Sequence, residues 1–235
     1  MTHVQPPNEL AIASLRRCAL FTHCAADAMA EIIRRLTARR YRRGEVIFHQ
    51  GDPGDALHVV TSGSVKIVLP SPEGDEAIIA TVRPGDFFGE LSLLDGEPRS
   101  ATATAIEATE TSTLPRAVFL ELLDAHPSLR DALLKGLAVE LRRLTNHAEE
   151  LHFLDLAGRL ARRLVRLAEE GDASTQDPIA LDWPYTQTDL AGMIGGTRQS
   201  VNRLLSDLIG DGLVRIERER LIITDLGELA RRAER

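Results

Sequence analysis

The chain has 235 residues, 43% of them apolar and 4% aromatic, which suits one large or two ordinary globular domains and excludes a fibrous or disordered protein. Its net charge is −7, and residues 156–235, with twelve basic against thirteen acidic side chains, are its least acidic part. That balance excludes indiscriminate nucleic-acid binding but leaves room for a basic face that docks one duplex site. Two cysteines, Cys18 and Cys24, are too few for a disulfide framework or a four-thiolate cluster.

The start, MTHVQPPNEL, has neither the basic opening nor the apolar stretch of a signal peptide, and no apolar run reaches membrane-spanning length. A cytoplasmic protein without a membrane partner is expected. Residues 8–40 read as helical, because Leu10, Leu15, Leu20, Met29, Ile32, Ile33 and Leu36 recur at roughly helical spacing, with a break at 21–26. The basic run Arg39, Arg40, Arg42 and Arg43 is expected to be a solvated helix end. From residue 41 to 114 short β-rich runs, 45–48, 56–61, 64–69, 77–82, 100–106 and 110–114, alternate with turns built on Gly44, Gly51, Gly54, Gly63, Gly74 and Gly85. An antiparallel barrel or roll follows. A metal-binding roll would want closely spaced histidine ligands, whereas His49 and His58 stand apart, so no metal is expected.

Within this region FGELSLLDGEPRSATATA, residues 88–105, reads as a phosphate-binding cassette. A helical turn beginning near Gly89 aims free N–H groups at an anion, and Arg99 and Ser100 add a guanidinium fork and a hydroxyl. Glu90 repels phosphate, so its natural partner is a sugar hydroxyl, and together these residues fit a ribose phosphate.

After Pro115 the chain turns helical, with a short helix over 116–125 and a long one from Pro127 to about residue 155. Along the long helix Leu134, Leu137, Leu141, Leu144, Ala148 and Leu151 step by three and four, a heptad seam that needs a partner helix. A homodimer is the simplest one. Residues 154–169 form an amphipathic helix with Leu156, Leu160, Leu164 and Leu167 on one side, and 171–178 a turn-rich loop. In TQTDLAGMIGGTRQSVNRLLSDLIGDG, Thr186 caps a helix with Asp189 three residues on, Gly195 and Gly196 break it, and Thr197 caps the next. That next helix turns Val201, Leu204, Leu205 and Leu208 inward. It leaves Arg198 with Asn202 and Gln199 with Arg203 as outward rows, the side chains that read purine edges from a recognition helix. Residues 213–216 and 221–223, joined by the charged turn 217–220, predict a wing, and 225–235 a closing helix.

The order GEVIF, QGDPGDALHVV, SGSVKIV, RPGDFFGE, followed by the cassette and the helix-turn-helix, resembles the cyclic AMP receptor protein family (CRP/FNR) along most of the chain. The resemblance implies an α+β fold: an N-terminal antiparallel β-roll of the cyclic-nucleotide-binding type over 1–125, a long dimerisation helix and hinge over 126–154, and a C-terminal winged helix-turn-helix DNA-binding domain over 155–235. It implies a dimeric transcription regulator, not an enzyme. Its effector is a cyclic nucleotide, cyclic AMP first, and its partners are a two-fold symmetric double-stranded operator, a second copy of itself and RNA polymerase. The effector residues implied are Gly89, Glu90, Leu91, Arg99 and Ser100, joined by Thr145 and Asn146 on the dimer helix toward the purine base. The DNA-binding residues implied are Thr186, Gln187, Thr197, Arg198, Gln199, Ser200, Asn202 and Arg203. Gln199 stands where the family often has glutamate, and glutamine favours adenine. Two positions depart from the pattern. Glu140 replaces the arginine that cyclic-AMP-binding members tend to pair with the cassette glutamate, and Leu144 replaces the first base-contacting residue. A carboxylate near Glu90 would repel it. These departures motivate a second reading, the same DNA-binding regulator acting without a cyclic nucleotide.

Overall fold

The structure, a computed structural model, describes residues 9–22, 24–72, 74–170, 178–217 and 220–234. Two helices open it, α1 (Glu9–Arg17) and α2 (Ala26–Arg35), and the break between them falls where the spacing lapses. Leu15, Leu20, Phe21, Met29, Ile32 and Leu36 are buried in one core. The helical reading of 8–40 fails from residue 37. Thr37–Tyr41 is strand β1, paired antiparallel with β8 (Thr109–Pro115) from Thr37 opposite Thr113 to Tyr41 opposite Thr109. Arginine's helix preference is a matter of tenths of a kcal/mol, and a five-residue ladder on a sheet edge outweighs it. The basic run is therefore not a helix end. Arg39 and Arg40 sit on β1, and Arg40 Nε donates to Glu110 Oε1 directly opposite, at 2.5 Å.

The turns come where the glycines predict them. Strands β2 (Val46–Phe48), β3 (Ala56–Ser62), β4 (Val65–Pro70), β5 (Glu76–Val82), β6 (Phe87–Phe88) and β7 (Thr102–Ala105) join β1 and β8 in two four-stranded sheets, ordered β1-β8-β3-β6 and β2-β7-β4-β5. Val60, Val65, Phe88 and Ala103 fill the roll, with Ile47, Phe48, Ile67 and Val82 half-buried around them. A second core forms where α1, α2, α4 (Arg116–Ala125) and the start of α5 (Pro127–Phe153) cover Leu57, Val59 and Leu114. Between β6 and β7 the cassette carries the four-residue helix α3 (Leu91–Leu94).

At 27 residues α5 is about 40 Å long. Its Leu129 and Leu133 are buried and Leu137 packs half-buried on the same core, so Leu137 leaves the expected seam: steps of four keep these three on the roll-facing side. Leu134, Leu141, Leu144 and Leu151 remain exposed, at 59%, 66%, 40% and 46%, and Ala148 is exposed with them. Gly136 admits the ring of Phe87, whose Cζ would lie 3.1 Å from a Cβ there.

Packing divides the chain within α5. One compact unit comprises the chain up to Gly74 with Ile78–Arg142, the other Asp75–Ala77 with Arg143–Arg235. In the second unit α6 (Leu156–Glu170), α7 (Gln187–Ile194), α8 (Arg198–Gly210) and α9 (Leu226–Arg232) pack with β9 (Ile179–Asp182), β10 (Val214–Glu217) and β11 (Arg220–Ile223). The predicted wing hairpin gains β9 as a third strand, in the order β10-β11-β9. Of the predicted loop 171–178 only residue 178 is described, and residues 218–219 of the predicted wing turn also lie outside the described residues. Among the described residues no helix is long and apolar enough to cross a membrane.

The turn between β3 and β4 requires glycine. Gly63 has φ +75°, and a Cβ there would meet the Ala108 carbonyl oxygen at 2.4 Å, whereas Gly74, at φ +91°, has open space. A Gly63→Ala variant should lose about 2 kcal/mol or more in urea unfolding, and Gly74→Ala only about 1 kcal/mol, the conformational part.

Candidate functional site

The cassette is organised around one buried cation. Arg99 is 3% exposed, and its guanidinium lies 4.2 Å over the ring of Phe48 on β2. Nη1 donates to the Gly89 carbonyl at 2.6 Å and to Ser92 Oγ at 3.1 Å, and Nη2 to the Ala56 carbonyl at 2.8 Å and to Asp55 Oδ1 at 3.1 Å. The backbone on either side is tied as well, with Arg99 N donating to the Asp52 carbonyl and Gly51 N to the Arg99 carbonyl. Gly89 adopts φ +82°, and a Cβ there would lie 2.5 Å from Nη1. Its lack of a side chain thus serves the approach of Arg99 as much as the turn. The expected open fork for an anion is not what the structure contains: all four terminal N–H groups already have protein acceptors. Burial lowers the pKa of Arg99 and Asp55 raises it, and the guanidinium remains charged.

Glu90 follows at the N-cap of α3 and is half-buried. Burial raises its pKa above the ordinary carboxylate value, and Glu140 on α5 raises it further against the opposing pull of Arg99. The repulsion expected from the sequence is therefore present. Leu91, at 44%, and Ser100 are exposed beside Glu90 and Arg99. The structure brings Gly89, Glu90, Leu91, Arg99 and Ser100 together in the first unit, while Thr145 and Asn146 stand exposed on α5 in the second.

Sequence reasoning missed four neighbours of Arg99. Phe48, Asp55 and His58 lie in GEVIF and QGDPGDALHVV, stretches read only for their turns and strands, and Ser92 lies in the cassette, where only Gly89, Glu90, Leu91, Arg99 and Ser100 were picked out. His58, 6% exposed, stacks on Phe88 at 5.0 Å between ring centroids and tilts against Phe48 at 5.7 Å. Desolvation, aided by the Arg99 charge, lowers its pKa to about 3. Only the aromatic box and the nearby cation could have hinted at this.

In the second unit the helix-turn-helix forms as its caps predict. Thr186 and Asp189 make a reciprocal capping box on α7, Gly195 ends that helix at φ +67°, and Thr197 Oγ1 accepts from Ser200 N at 3.2 Å to start α8. Val201, Leu205 and Leu208 are buried and Leu204 is half-buried, so Arg198, Gln199, Asn202 and Arg203 face outward. Gln187 Nε2 donates to Asn202 Oδ1 at 2.8 Å, linking the two helices across their polar face. Thr186 and Thr197 are exposed and Ser200 is half-buried against Thr197 Oγ1. The turn itself is held from behind. Arg159 of α6 donates from Nη1 to the Ile194 carbonyl at 2.7 Å, and a Cβ at Gly196 would meet Leu156 Cδ1 at 2.9 Å.

Residues 38–126 match the model of the cyclic nucleotide-binding domain, and residues 158–232 that of the Crp-like helix-turn-helix domain. A CRP-like cAMP-activated global transcriptional regulator of Mycobacterium tuberculosis is 33% identical over 219 residues, covering 93% of this chain and 98% of that protein. The chain belongs to the CRP/FNR family of transcription regulators. This regulator is also 36% identical over 178 residues to the cyclic AMP receptor protein of Thermus thermophilus, covering 76% of this chain and 79% of that protein. Among solved structures, the c-di-GMP responsive global regulator CLP of Xanthomonas campestris superposes with a TM-score of 0.75 at 25% identity, covering 86% of this chain and all of that one. As a CRP/FNR member the regulator is a DNA-binding protein with a cyclic-nucleotide-binding domain, and not an enzyme.

Because the folded pKa of His58 lies below its ordinary value, its neutral form contributes stability above about pH 6.5, and that stability is lost as pH falls from there toward 3. The unfolding free energy from urea titrations should fall with acidification by on the order of 1 kcal/mol per pH unit between pH 6 and pH 4 in the wild type, and a His58→Phe variant should lack that component.

Proposed function

We propose that this regulator senses a cyclic nucleotide, cyclic AMP first, at the cassette of Gly89, Glu90, Leu91, Arg99 and Ser100, with Thr145 and Asn146 reaching the base. The observation that carries the reading is the buried Arg99 beneath a glycine-glutamate turn, a fixed cation beside a carboxylate suited to a sugar hydroxyl. The regulator acts in the cytoplasm as a homodimer joined along Leu134, Leu141, Leu144, Ala148 and Leu151, an apolar row left exposed on α5. Two copies of α8, about 34 Å apart, meet successive major grooves of a two-fold symmetric operator. Arg198 and Arg203 engage guanines or phosphates, Gln199 favours adenine, and Asn202 is aligned by Gln187. Thr186, Gln187, Thr197 and Ser200 serve the backbone around them. Ligand shifts the population of hinge geometries near residues 153–155, and RNA polymerase is the partner the bound dimer presents to the promoter.

One observation favours the second reading, regulation without a cyclic nucleotide. The terminal N–H groups of Arg99 are already engaged, and Glu140 adds a like charge beside Glu90. Titration calorimetry with cyclic AMP, cyclic GMP and c-di-GMP separates the readings. Heat on titration with cyclic AMP, abolished by Glu90→Ala while basal DNA affinity persists, supports the sensor. No heat with any of the three supports the alternative.

Two further outcomes are expected. Leu144→Asp puts a charge into the apolar row and should shift the protein from dimer to monomer in sedimentation velocity. Arg198→Ala should weaken operator binding by about tenfold to a hundredfold and flatten its dependence on salt; an unchanged salt slope with unchanged affinity would remove Arg198 from the interface.

A further inference from the structure

On the polar face of α7 and α8 the hydroxyls are committed to the caps. Thr186 Oγ1 donates to Asp189 Oδ2 at 2.7 Å and accepts from Asp189 N at 3.1 Å, and Thr197 Oγ1 shares a hydrogen bond of 2.9 Å with Ser200 Oγ. The bond between Gln187 and Asn202 differs in kind, because it joins the first residue of α7 to the second turn of α8. Its direction matters. Gln187 Nε2 donates and Asn202 Oδ1 accepts, so the exposed amide of Asn202 is anchored by its oxygen end.

An amide has two ends of opposite character, an oxygen that accepts and an NH2 group that donates twice. An unanchored asparagine exchanges them by turning about its terminal torsion, which is soft. Anchored at Oδ1, Asn202 keeps Nδ2 as the end turned away from Gln187. In the major groove guanine presents two acceptors, N7 and O6, whereas cytosine presents only the N4 donor. Adenine presents one of each, and an amide reads it through oxygen and nitrogen together. Here that would require Oδ1 to be shared with Gln187. The anchored amide therefore suits guanine first and cytosine last.

We infer that Gln187 is a positioning residue that sets the hydrogen-bonding polarity of Asn202: held by its oxygen, Asn202 meets the groove as a donor and reads guanine. The inference rests on the reading of α8 as the recognition helix and deepens it, since a residue of α7 then chooses a base by acting through a residue of α8. A single hydrogen bond of this kind is worth a factor of roughly threefold to tenfold, so the result is a graded preference at one base pair.

The test is selection of bound fragments from a random duplex pool, with cyclic AMP present throughout. The full-length wild type is compared with Asn202→Ala, Gln187→Met, Gln187→Glu and Arg198→Ala. Gln187 lies in the first turn of α7, where Thr186 supplies the cap and both replacements are tolerated. Asn202→Ala locates the base pair that Asn202 reads, and there the wild type should favour guanine by about threefold to tenfold. Gln187→Met keeps the length but removes the donor, and should level the preference at that base pair alone. Gln187→Glu can only accept, so it draws Nδ2 inward, turns Oδ1 toward the groove and should move the preference toward cytosine. A wild type that favours another base there would overturn the inference, as would a guanine preference kept in both Gln187 variants. Loss of preference at every position in Gln187→Met would overturn it too, making Gln187 a support for the fold. If Asn202→Ala alters no position while Arg198→Ala does, the inference fails and α8 remains the recognition helix. If neither alters the selected sequence, the reading of α8 falls, and the inference with it.

Discussion

A buried guanidinium is costly to desolvate, and the roll supplies acceptors for the four terminal N–H groups of Arg99. Its partners come from four places in the chain: Phe48 on β2, Asp55 and Ala56 at the start of β3, Gly89 after β6, and Ser92 on α3. One side chain thus ties both sheets to the cassette. Its charge also adds to the desolvation that keeps His58 neutral, and it opposes the rise in the pKa of Glu90. Removing it would strand several buried acceptors at once, so a large truncation at this position confounds sensing with folding. Glu90, half-buried at the N-cap of α3 where its side chain makes no capping hydrogen bond, is the position that separates the two.

The remainder of the regulator presents two surfaces that a single chain does not satisfy. The first half of α5 buries Leu129 and Leu133 on the roll and leaves a row of leucines on its other side. The polar face of α8 is pre-formed: its caps are made, Gln187 steadies Asn202, and Arg159 fixes the carbonyl at the end of α7. Little conformational freedom remains to be lost there when a duplex docks.

How much of this was legible in the sequence depends on where each element finds its partners. Helix α4 ends at residue 125, α7 starts and stops and α8 starts where the local signals say, because caps, prolines and left-handed glycines act within a few residues. The roll's turns were legible for the same reason. Strand β1 was not, since its pairing partners lie some seventy residues away at Thr109–Thr113. Neither was β6, two residues long, nor β9, which gains its place beside β11. At the site, composition and spacing picked out Arg99 and Glu90 but not the direction in which Arg99 points. That direction is decided by Asp55, Ala56 and Ser92, and only folding brings them beneath the cassette.

The division of packing inside α5 bears on how such regulators are recombined. Leu151 lies beside Gly195, where a Cβ would come within 3.3 Å of its Cδ2, and Glu150 pairs with Arg166 of α6. The last turns of the long helix are thus part of the DNA-reading body. A chimera that grafts this reading head onto a foreign sensor should be spliced ahead of Arg143. A junction drawn at the end of the helix would discard Glu150 and Leu151, leaving Arg166 without its carboxylate and the helix-turn-helix turn without its cover.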